Sequence, residues 1–263
     1  MELHFCYLDC YNGYSNQKGK NMTQNHYDNP IFFKKYSEMD RSKYGLQAAG
    51  EWSMLERLFP NLNNKTVLDL GCGYGWHCKY CIEKNAKSVI GIDISEKMIQ
   101  EAQKRNNDPK IEYRVCSLLD YEYPKNSFDI VISNLVLHYI DDLNNIYKNV
   151  YQTLKKEGIF IFNIEHPTFT AGINQEWIYD ENHSPLYWPI DDYYYPGKRK
   201  TNFLNHEIIK YHHTMTQIIQ GLIDCGFTIE NLIEVEPNEE MKKIPGMIHE
   251  MRRPMMLLVK ARK

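Results

Sequence analysis

A glycine-rich loop and a more distant aspartate could together bind a nucleoside. Gly71, Gly73 and Gly75 alternate with larger residues directly after an apolar run. Glycine permits a positive φ and lets a ligand approach the backbone closely, and a helix that begins after such a loop presents free N–H groups. Asp93 follows Gly71 by about twenty residues, the distance at which an acidic side chain reaches ribose hydroxyls. The pattern therefore predicts a nucleoside site.

The residue that follows this loop distinguishes two kinds of ligand. A dinucleotide loop ends in a third small residue, which lets the helix pack on the strand and the pyrophosphate come close. Trp76 stands at that position here. We therefore expect a nucleoside ligand without a diphosphate, and NAD-dependent oxidoreduction is the weaker alternative.

The segments around the loop alternate between strand patterns and helix patterns. Strands are predicted at Thr66–Leu70, Ser88–Asp93, Ile111–Cys116, Phe128–Ser133, Gly158–Ile164, Phe227–Val235 and Met255–Ala261. Helices are predicted at Leu46–Phe59, Trp76–Lys84, Leu143–Leu154 and Met215–Cys225, and from the N-cap Ser95 to about Arg105. This alternation is typical of a parallel sheet with right-handed crossovers, which binds ligands at the carboxyl ends of its strands.

Four segments carry a resemblance to a known family. They are Val67–Gly75, Gly91–Ser95, Ser127–Val131 and Leu154–Gly158. In this order and spacing they resemble the motifs of class I S-adenosylmethionine (SAM)-dependent methyltransferases. Ser133–Tyr139 and Glu165–Pro167 more loosely resemble the small-molecule branch near the ubiquinone and menaquinone methyltransferases. The resemblance covers about residues 63–165 and implies an α/β, Rossmann-like seven-stranded sheet, mostly parallel with an antiparallel last strand and helices on both faces.

The resemblance also implies a set of SAM-binding residues. They are Asp69, Gly71, Cys72, Gly73, Gly75, Asp93, Ile94, Ser117, Leu118, Asn134 and Leu135. The glycine loop would lie under the methionine part, with Asp69 ordering it and the SAM amino group. Asp93 would bind the ribose, while Ile94 and residues 117–118 border the adenine. Asn134 and Leu135 would lie beside the methionine carboxylate or the sulfonium.

Methyl transfer is an in-line displacement that depends mainly on alignment in a dry site. A base is needed only where the acceptor must lose a proton. His138, His166 and His212 are the candidate catalytic residues because they follow predicted strands or the long insertion; each could instead only pack or cap a helix. His213 is a further candidate beside His212. These histidines lack metal-ligand spacing, and the CxxC of Cys78 and Cys81 has no second pair, so we predict no metal site.

Two segments outside the predicted sheet are expected to cover the substrate. Residues 27–59 form a predicted N-terminal lid. Residues 165–212 form an aromatic-rich insertion without a regular pattern, and long irregular stretches in compact domains are more often functional than idle. Arg41, Trp52 and Tyr139 are predicted substrate contacts. The alternative is an ordinary subdomain or a dimer interface. Residues 63–164 would then be the SAM-binding core, and residues 213–263 a C-terminal helix and strands.

Composition and charge exclude several classes of protein. The 263 residues are 43% hydrophobic and 25% charged, as in globular proteins. The net charge of −3 argues against a nucleic-acid partner, as does the absence of an Asn/Asp-Pro-Pro-aromatic motif after the fourth strand. No apolar run reaches the ~18 residues of a membrane span. We therefore expect a cytoplasmic monomer or homodimer without a membrane partner, whose seven cysteines are reduced.

The N-terminus has a feature of its own. Residues 18–22 back-translate to a purine-rich string followed by a start codon, which resembles a ribosome-binding site. The hypothesis is that the native protein begins at Met22 and that residues 1–21 are a non-native or disordered extension.

Together these features predict a SAM-dependent methyltransferase that acts on a small-molecule acceptor and releases S-adenosylhomocysteine (SAH). The alternatives are an NAD-dependent oxidoreductase and a SAM-binding protein without catalytic activity.

Overall fold

The computed structural model describes residues 25–263, apart from the side chain of Ile173. The hypothesis about residues 1–21 and Met22 lies outside this range and stays a prediction. The strands are β1 (Thr66–Leu70), β2 (Ser88–Asp93), β3 (Ile111–Val115), β4 (Phe128–Asn134), β5 (Leu154–Glu165), β6 (Ile178–Tyr179), β7 (Pro185–Tyr187), β8 (Gly197–Phe203), β9 (His206–His212), β10 (Thr228–Glu234) and β11 (Met256–Arg262). The α-helices are α1 (Pro30–Ser37), α2 (Asp40–Tyr44), α3 (Trp52–Leu55), α4 (Trp76–Glu83), α5 (Glu96–Arg105), α6 (Leu143–Thr153), α7 (Pro167–Thr170) and α8 (Met215–Asp224).

Seven of the described strands form one sheet, in the order β10-β11-β5-β4-β1-β2-β3. Strand β11 runs antiparallel to both of its neighbours, whereas the other pairs run parallel. The chain winds outward from β1 in one direction through β2 and β3, and in the other through β4 and β5. This confirms the predicted Rossmann-like sheet, and the reversal of strand order beside β1 is where such sheets bind ligands.

Both faces of the sheet are buried, because side chains alternate between the faces along each strand. Leu68 and Leu70 of β1 contribute to the apolar core that contains Tyr147 of α6. Val67 points to the opposite core, which contains Trp52 and Cys78. Strands covered on both faces have near-continuous apolar sequences, which is why the sequence patterns of β1, β2 and β4 identify them.

The predicted N-terminus of α5 is confirmed. The Ser95 hydroxyl accepts a hydrogen bond from the Met98 backbone N–H at 3.1 Å, as expected of an N-cap. Helix α5 ends at Arg105, the predicted boundary.

The predicted continuous helix over residues 46–59 is wrong. The segment contains α3 between two short 3-10 helices, Gly45–Ala48 and Glu56–Leu58. Ala49 interrupts the helical path with extended backbone angles, φ −88° and ψ 118°. Gly50 follows, and a Cβ atom there would lie 2.7 Å from the Met241 Cε atom. The chain therefore turns at this point, and Glu51 becomes buried.

The insertion, residues 165–212, contains regular structure that the sequence did not predict. Helix α7 follows β5 directly, and two antiparallel hairpins follow it, β6–β7 and β8–β9. Strand β9 alternates between buried and partly exposed residues, with Ile208, Lys210 and His212 buried. Its inner face contains charged and aromatic residues as well as aliphatic ones, so the periodicity of a strand is hard to detect in the sequence.

Candidate functional site

A cavity of about 490 Å³ lies beyond the carboxyl ends of β1, β2, β4 and β5. Three parts of the chain line it: the loops after these strands, an N-terminal cover that we define as residues 26–49, and the insertion. The predicted site residues on its wall are Arg41, Gly71, Cys72, Gly73, Asp93, Ile94, Ser117, Leu118, Asn134, Leu135, His138 and Tyr139. Residues that were predicted from five separate stretches of sequence therefore surround one space.

The three glycines of the loop are needed for different structural reasons. All three have positive φ, at +77° for Gly71, +53° for Gly73 and +74° for Gly75. A Cβ atom at Gly71 would lie 2.3 Å from a Val136 methyl group, and one at Gly75 would lie 2.2 Å from the Tyr113 hydroxyl oxygen. A Cβ atom at Gly73 would meet nothing within 4 Å. Gly73 therefore leaves open space over the cavity, whereas Gly71 and Gly75 allow close packing within the protein. Gly75 caps α4 and lies outside the lining.

Asp93 lines the cavity beside the glycine loop. Its two oxygens accept hydrogen bonds from the backbone N–H groups of Gly73 and Ser95, both at 2.9 Å. Burial raises the pKa of this carboxyl to about 6. Each carboxylate oxygen can accept more than one hydrogen bond, so Asp93 keeps capacity for ligand hydroxyls while it holds the loop in place.

Asp69 lies beneath the loop and does not line the cavity. Its Oδ2 atom accepts a hydrogen bond from the Cys78 thiol at 3.3 Å, and its Oδ1 atom is buried without a partner. Burial raises the pKa of Asp69 to about 7. The side chain thus binds α4 and does not reach the cavity.

Arg41 is the first member of a series of hydrogen-bonded polar side chains that extends from the N-terminal cover to β4 and β5. Its guanidinium pairs with the Glu51 carboxylate, which also accepts a hydrogen bond from the Asn134 amide at 3.0 Å. The Asn163 amide in turn donates to the Asn134 oxygen at 3.0 Å. Burial alone would raise the pKa of Glu51, but the charge of Arg41 and the bond from Asn134 lower it, so the pair is ionised.

Sequence reasoning missed Glu51 and Asn163. Glu51 lies in the segment predicted to be a continuous helix, where an acid is typical of the exposed face. Asn163 interrupts the apolar run of β5, and that interruption is the signal that could have found it.

The N-terminal cover is fixed to α5. Asp28 accepts hydrogen bonds from the Ser95 hydroxyl at 2.6 Å and from the Lys97 backbone N–H at 3.1 Å. The carboxylate therefore satisfies free donors at a helix N-terminus, where a negative charge is favourable. Hydrogen bonds from Ser95 and the Lys97 backbone, opposed by burial, lower the pKa of Asp28. These hydrogen bonds hold the N-terminal cover in place beside Ile94.

The two covers also touch each other. The Phe32 ring lies 5.9 Å from the Phe203 ring and 5.3 Å from the His206 ring, measured between centroids. The Lys35 ammonium donates to the Leu204 carbonyl at 3.1 Å. The aromatic side chains of the insertion do not all face the cavity: Phe169 and Phe203 line it, whereas Tyr194 is 85% exposed.

His138 and Tyr139 follow β4 in a 3-10 turn and line the cavity. The Glu165 backbone N–H donates to the His138 Nδ1 atom at 3.5 Å, which leaves the ring proton on Nε2. Burial lowers the pKa of His138 to about 4, so the ring is neutral near pH 7. The Tyr139 hydroxyl lies 3.5 Å from the Tyr27 hydroxyl of the N-terminal cover.

The structure places His166, His212 and Trp52 away from the cavity wall. His166 caps α7 by accepting from the Thr168 backbone N–H at 3.1 Å. His212 is fully buried, with Nδ1 2.7 Å from the Thr170 hydroxyl and Nε2 2.8 Å from the Tyr193 carbonyl oxygen. Each histidine thus uses ring nitrogens to hold the insertion. Trp52 packs edge-on against Tyr80, with centroids 4.7 Å apart, in the core.

A second buried ion pair lines the cavity on the side of the insertion. Lys210 of β9 and Glu165 at the end of β5 lie 2.5 Å apart, from Nζ to Oε1. The sequence predicted no role for either residue: Glu165 was noted only as part of the segment Glu165–Pro167, and Lys210 lies 45 residues further along the chain in no motif.

Neither a metal site nor a membrane span is evident in the described part of the chain. Within residues 25–263, no group of three or more His, Cys, Asp or Glu residues could hold a metal ion. Over the same range, every helix is too short or too polar to cross a bilayer.

Comparisons with known proteins agree with the geometry of the site. A methyltransferase-domain family model matches residues 68–162. A solved structure from Listeria monocytogenes, described as an S-adenosylmethionine-dependent methyltransferase, is 47% identical over 83% of this chain and 99% of its own, with a TM-score of 0.80. A Mesorhizobium loti structure of the same description is 37% identical over 83% of this chain and 100% of its own, with a TM-score of 0.77. An uncharacterized Haemophilus influenzae protein is 30% identical over 90% of this chain and 96% of its own. The chain therefore belongs to the SAM-dependent methyltransferase family, which confirms the resemblance identified from its motifs.

Proposed function

We propose that this protein transfers a methyl group from SAM to a small-molecule acceptor held in the cavity. One observation carries the proposal: a single cavity connects the glycine loop and Asp93 with a chamber enclosed by the N-terminal cover and the insertion. Its volume of about 490 Å³ lies in the range of small-ligand pockets. A duplex or a folded protein would have to displace both covers to reach it.

The residues at the cofactor end fit the adenosine part of SAM. The open space over Gly73 lets a ligand approach the backbone. The Asp93 carboxylate is the acceptor for the ribose hydroxyls, and Ile94, Ser117 and Leu118 border the space for the adenine. The raised pKa of Asp93 means that its proton competes with these hydroxyls in mildly acidic solution.

The residues at the centre fit the methionine part. Arg41 lines the cavity and carries a charge that suits the ligand carboxylate. Glu51 binds both the Arg41 guanidinium and the Asn134 amide, and so fixes the position of Arg41 relative to the end of β4. When bound, SAM supplies a methyl group on a positively charged sulfur. The protein then has to align the acceptor and exclude water, which is the role that we assign to Tyr27, Tyr139 and the two covers.

The three histidines receive different roles. His138 lies on the cavity wall and is neutral, so we assign it to contact with the acceptor and to positioning Glu165. His166 and His212 hold α7 and the β8–β9 hairpin, so we assign them to shaping the insertion.

Ligand binding followed by label transfer tests the proposal. At about 100 times Kd, SAM or SAH should add roughly 2.7 kcal/mol to the free energy of unfolding, a rise in Tm of roughly 5–10 °C for a chain of this size. NAD should have no effect. Asp93→Asn should remove the shift. Asp129→Asn is the matched control, because Asp129 pairs with Lys155 at the opposite end of the sheet.

Methyl transfer is then followed with SAM labelled on the methyl group. Label should enter the small-metabolite fraction of a cell extract and not its nucleic acid or protein fractions. A Tm shift with NAD alone would support the oxidoreductase alternative. Binding of SAM without label transfer to any fraction would support the non-catalytic alternative.

A further inference from the structure

We infer that the acceptor presents an acidic hydroxyl group, of the phenol or enol class, to the Glu165–Lys210 pair; this rests on the proposed methyl transfer. The pair lies where the end of β5 meets the hairpin strand β9, and both residues line the cavity. Neither residue is among those assigned to SAM.

The Glu165–Lys210 pair is buried and leaves one hydrogen-bond acceptor unsatisfied, as a ligand-binding site would. The Lys210 side chain is 6% exposed and the Glu165 side chain 12%. The Glu165 Oε1 atom takes the contact with Lys210, but its Oε2 atom is buried without a partner. An unsatisfied buried acceptor destabilises a protein. A ligand that donates a hydrogen bond to this carboxylate would satisfy it.

The walls around the pair are apolar and flat. The Lys210 ammonium lies 5.8 Å from the ring centroids of both Phe169 and Phe203. Phe32, whose ring packs against Phe203, and Ile208 also line the cavity. An acceptor with a planar apolar body matches these walls, and a few convergent polar groups in an apolar pocket are what fixes the orientation of such a ligand.

The charges favour oxygen over nitrogen as the methylated atom. A hydroxyl can donate to Glu165 and accept from Lys210 at once. As the hydroxyl loses its proton, the adjacent ammonium stabilises the developing negative charge. A neutral amine attacks through its own lone pair and develops no negative charge for Lys210 to stabilise. An ionised carboxylate acceptor has no proton to donate to Glu165.

The step balances with SAM as the only other reactant. The acceptor oxygen forms a bond to the methyl carbon while the bond from that carbon to sulfur breaks. The electron pair of the broken bond stays on sulfur, which loses its positive charge. The hydroxyl proton passes to the Glu165 carboxylate and then to solvent. The products are the methyl ether and SAH.

A matched set of acceptors tests the class directly. One-ring, two-ring and fused aromatic compounds would be assayed as their hydroxyl, amino and carboxyl forms, with label transfer from SAM and binding to the SAH-loaded protein as readouts. We expect methyl transfer to members of the hydroxyl series only. Transfer to the amino or carboxyl series alone, or no hydroxyl compound bound or methylated while SAM binds, would overturn the assignment. Failure of SAM itself to bind would instead overturn the proposed function.

Variants of the pair test its chemical role. Glu165→Gln should lower kcat at least 100-fold with an un-ionised phenol, the range of general base catalysis, and change the Kd for SAM less than twofold. With a nitrophenol that is already ionised at the assay pH, the loss should fall below tenfold. Lys210→Met should lower the rate with both acceptors.

A similar pair far from the cavity supplies the control. Lys260 and Glu230 lie 3.1 Å apart on the neighbouring strands β11 and β10. Glu230→Gln and Lys260→Met should leave kcat unchanged. An equal loss in Glu165→Gln with ionised and un-ionised acceptors would show that Glu165 acts only on structure, and would refute its role as a base.

Discussion

The different surroundings of Gly71 and Gly73 lead to a prediction that separates folding from ligand binding. Alanine at Gly71 would keep a strained positive φ, which destabilises by roughly 1–2 kcal/mol. Its Cβ atom would also lie 2.3 Å from Val136, and such overpacking typically adds about 1–3 kcal/mol. We therefore expect Gly71→Ala to lower the free energy of unfolding by about 2–5 kcal/mol, and Tm by roughly 4–20 °C.

Gly73→Ala is the matched substitution, because alanine there also keeps a strained positive φ but its Cβ atom meets no neighbouring atom. Its Tm should fall by less than about 8 °C, since only the strain of roughly 1–2 kcal/mol applies. The new methyl group would occupy the space over the loop, so the Kd for SAM and SAH should rise at least tenfold, which is about 1.4 kcal/mol.

Scanning fluorimetry without ligand and calorimetric titration with SAH measure the two effects. If Gly73→Ala binds SAH as tightly as the wild type, the ligand does not lie over this loop. If the two variants unfold at the same temperature, the contact between an added Cβ atom at position 71 and Val136 does not lower the stability of the protein.

Three further predictions follow from the same geometry. Because burial raises the pKa of Asp93 to about 6, protonation should raise the Kd for SAM about tenfold between pH 7 and pH 5, and calorimetry should show no such rise for Asp93→Asn. Asp28→Ala should lower the free energy of unfolding by about 1 kcal/mol through loss of its hydrogen bonds to the N-terminus of α5 and speed proteolytic cleavage in the N-terminal cover; unchanged cleavage would mean that this contact does not hold the cover closed. Glu51→Gln should destabilise the protein by about 3–5 kcal/mol in chemical denaturation, because it leaves the Arg41 charge unpaired, and a double variant with Glu51→Leu and Arg41→Met should recover part of that loss.

The sheet was predictable because each of its strands carries its own signal. Strands β1, β2 and β4 are nearly continuous apolar runs, as burial on both faces requires. The glycine loop and Asp93 come directly after β1 and at the end of β2, and parallel strands bring their carboxyl ends to one edge of the sheet. The local sequence was therefore enough to predict that Gly73 and Asp93 line one cavity.

The acceptor side was not predictable in the same way. Glu165 and Lys210 are 45 residues apart, and they meet only because the β8–β9 hairpin folds back over the end of β5. No local pattern encodes such a pairing. The alternation of Ile208, Lys210 and His212 along β9 is a signal for an inward-facing lysine, but the residues between them are not clearly polar.

Histidines illustrate the limits of choosing catalytic residues by type. His138 and His166 follow strands, His212 is the last residue of β9, and all three are buried. Only His138 lines the cavity, because the 3-10 turn after β4 directs it there. The other two use their ring nitrogens within the fold, and only tertiary structure distinguishes these cases.

The contact between the two covers has a consequence for how the ligands bind. Phe32 and Lys35 of the N-terminal cover touch residues 203–206 of the insertion, so a ligand that orders one cover also favours the closed position of the other. Linkage is reciprocal: the factor by which the methyl donor tightens acceptor binding equals the factor by which the acceptor tightens donor binding. A site with one ligand therefore stays easier to open than a site with both, and the methyl group is best shielded from water once the second ligand has arrived.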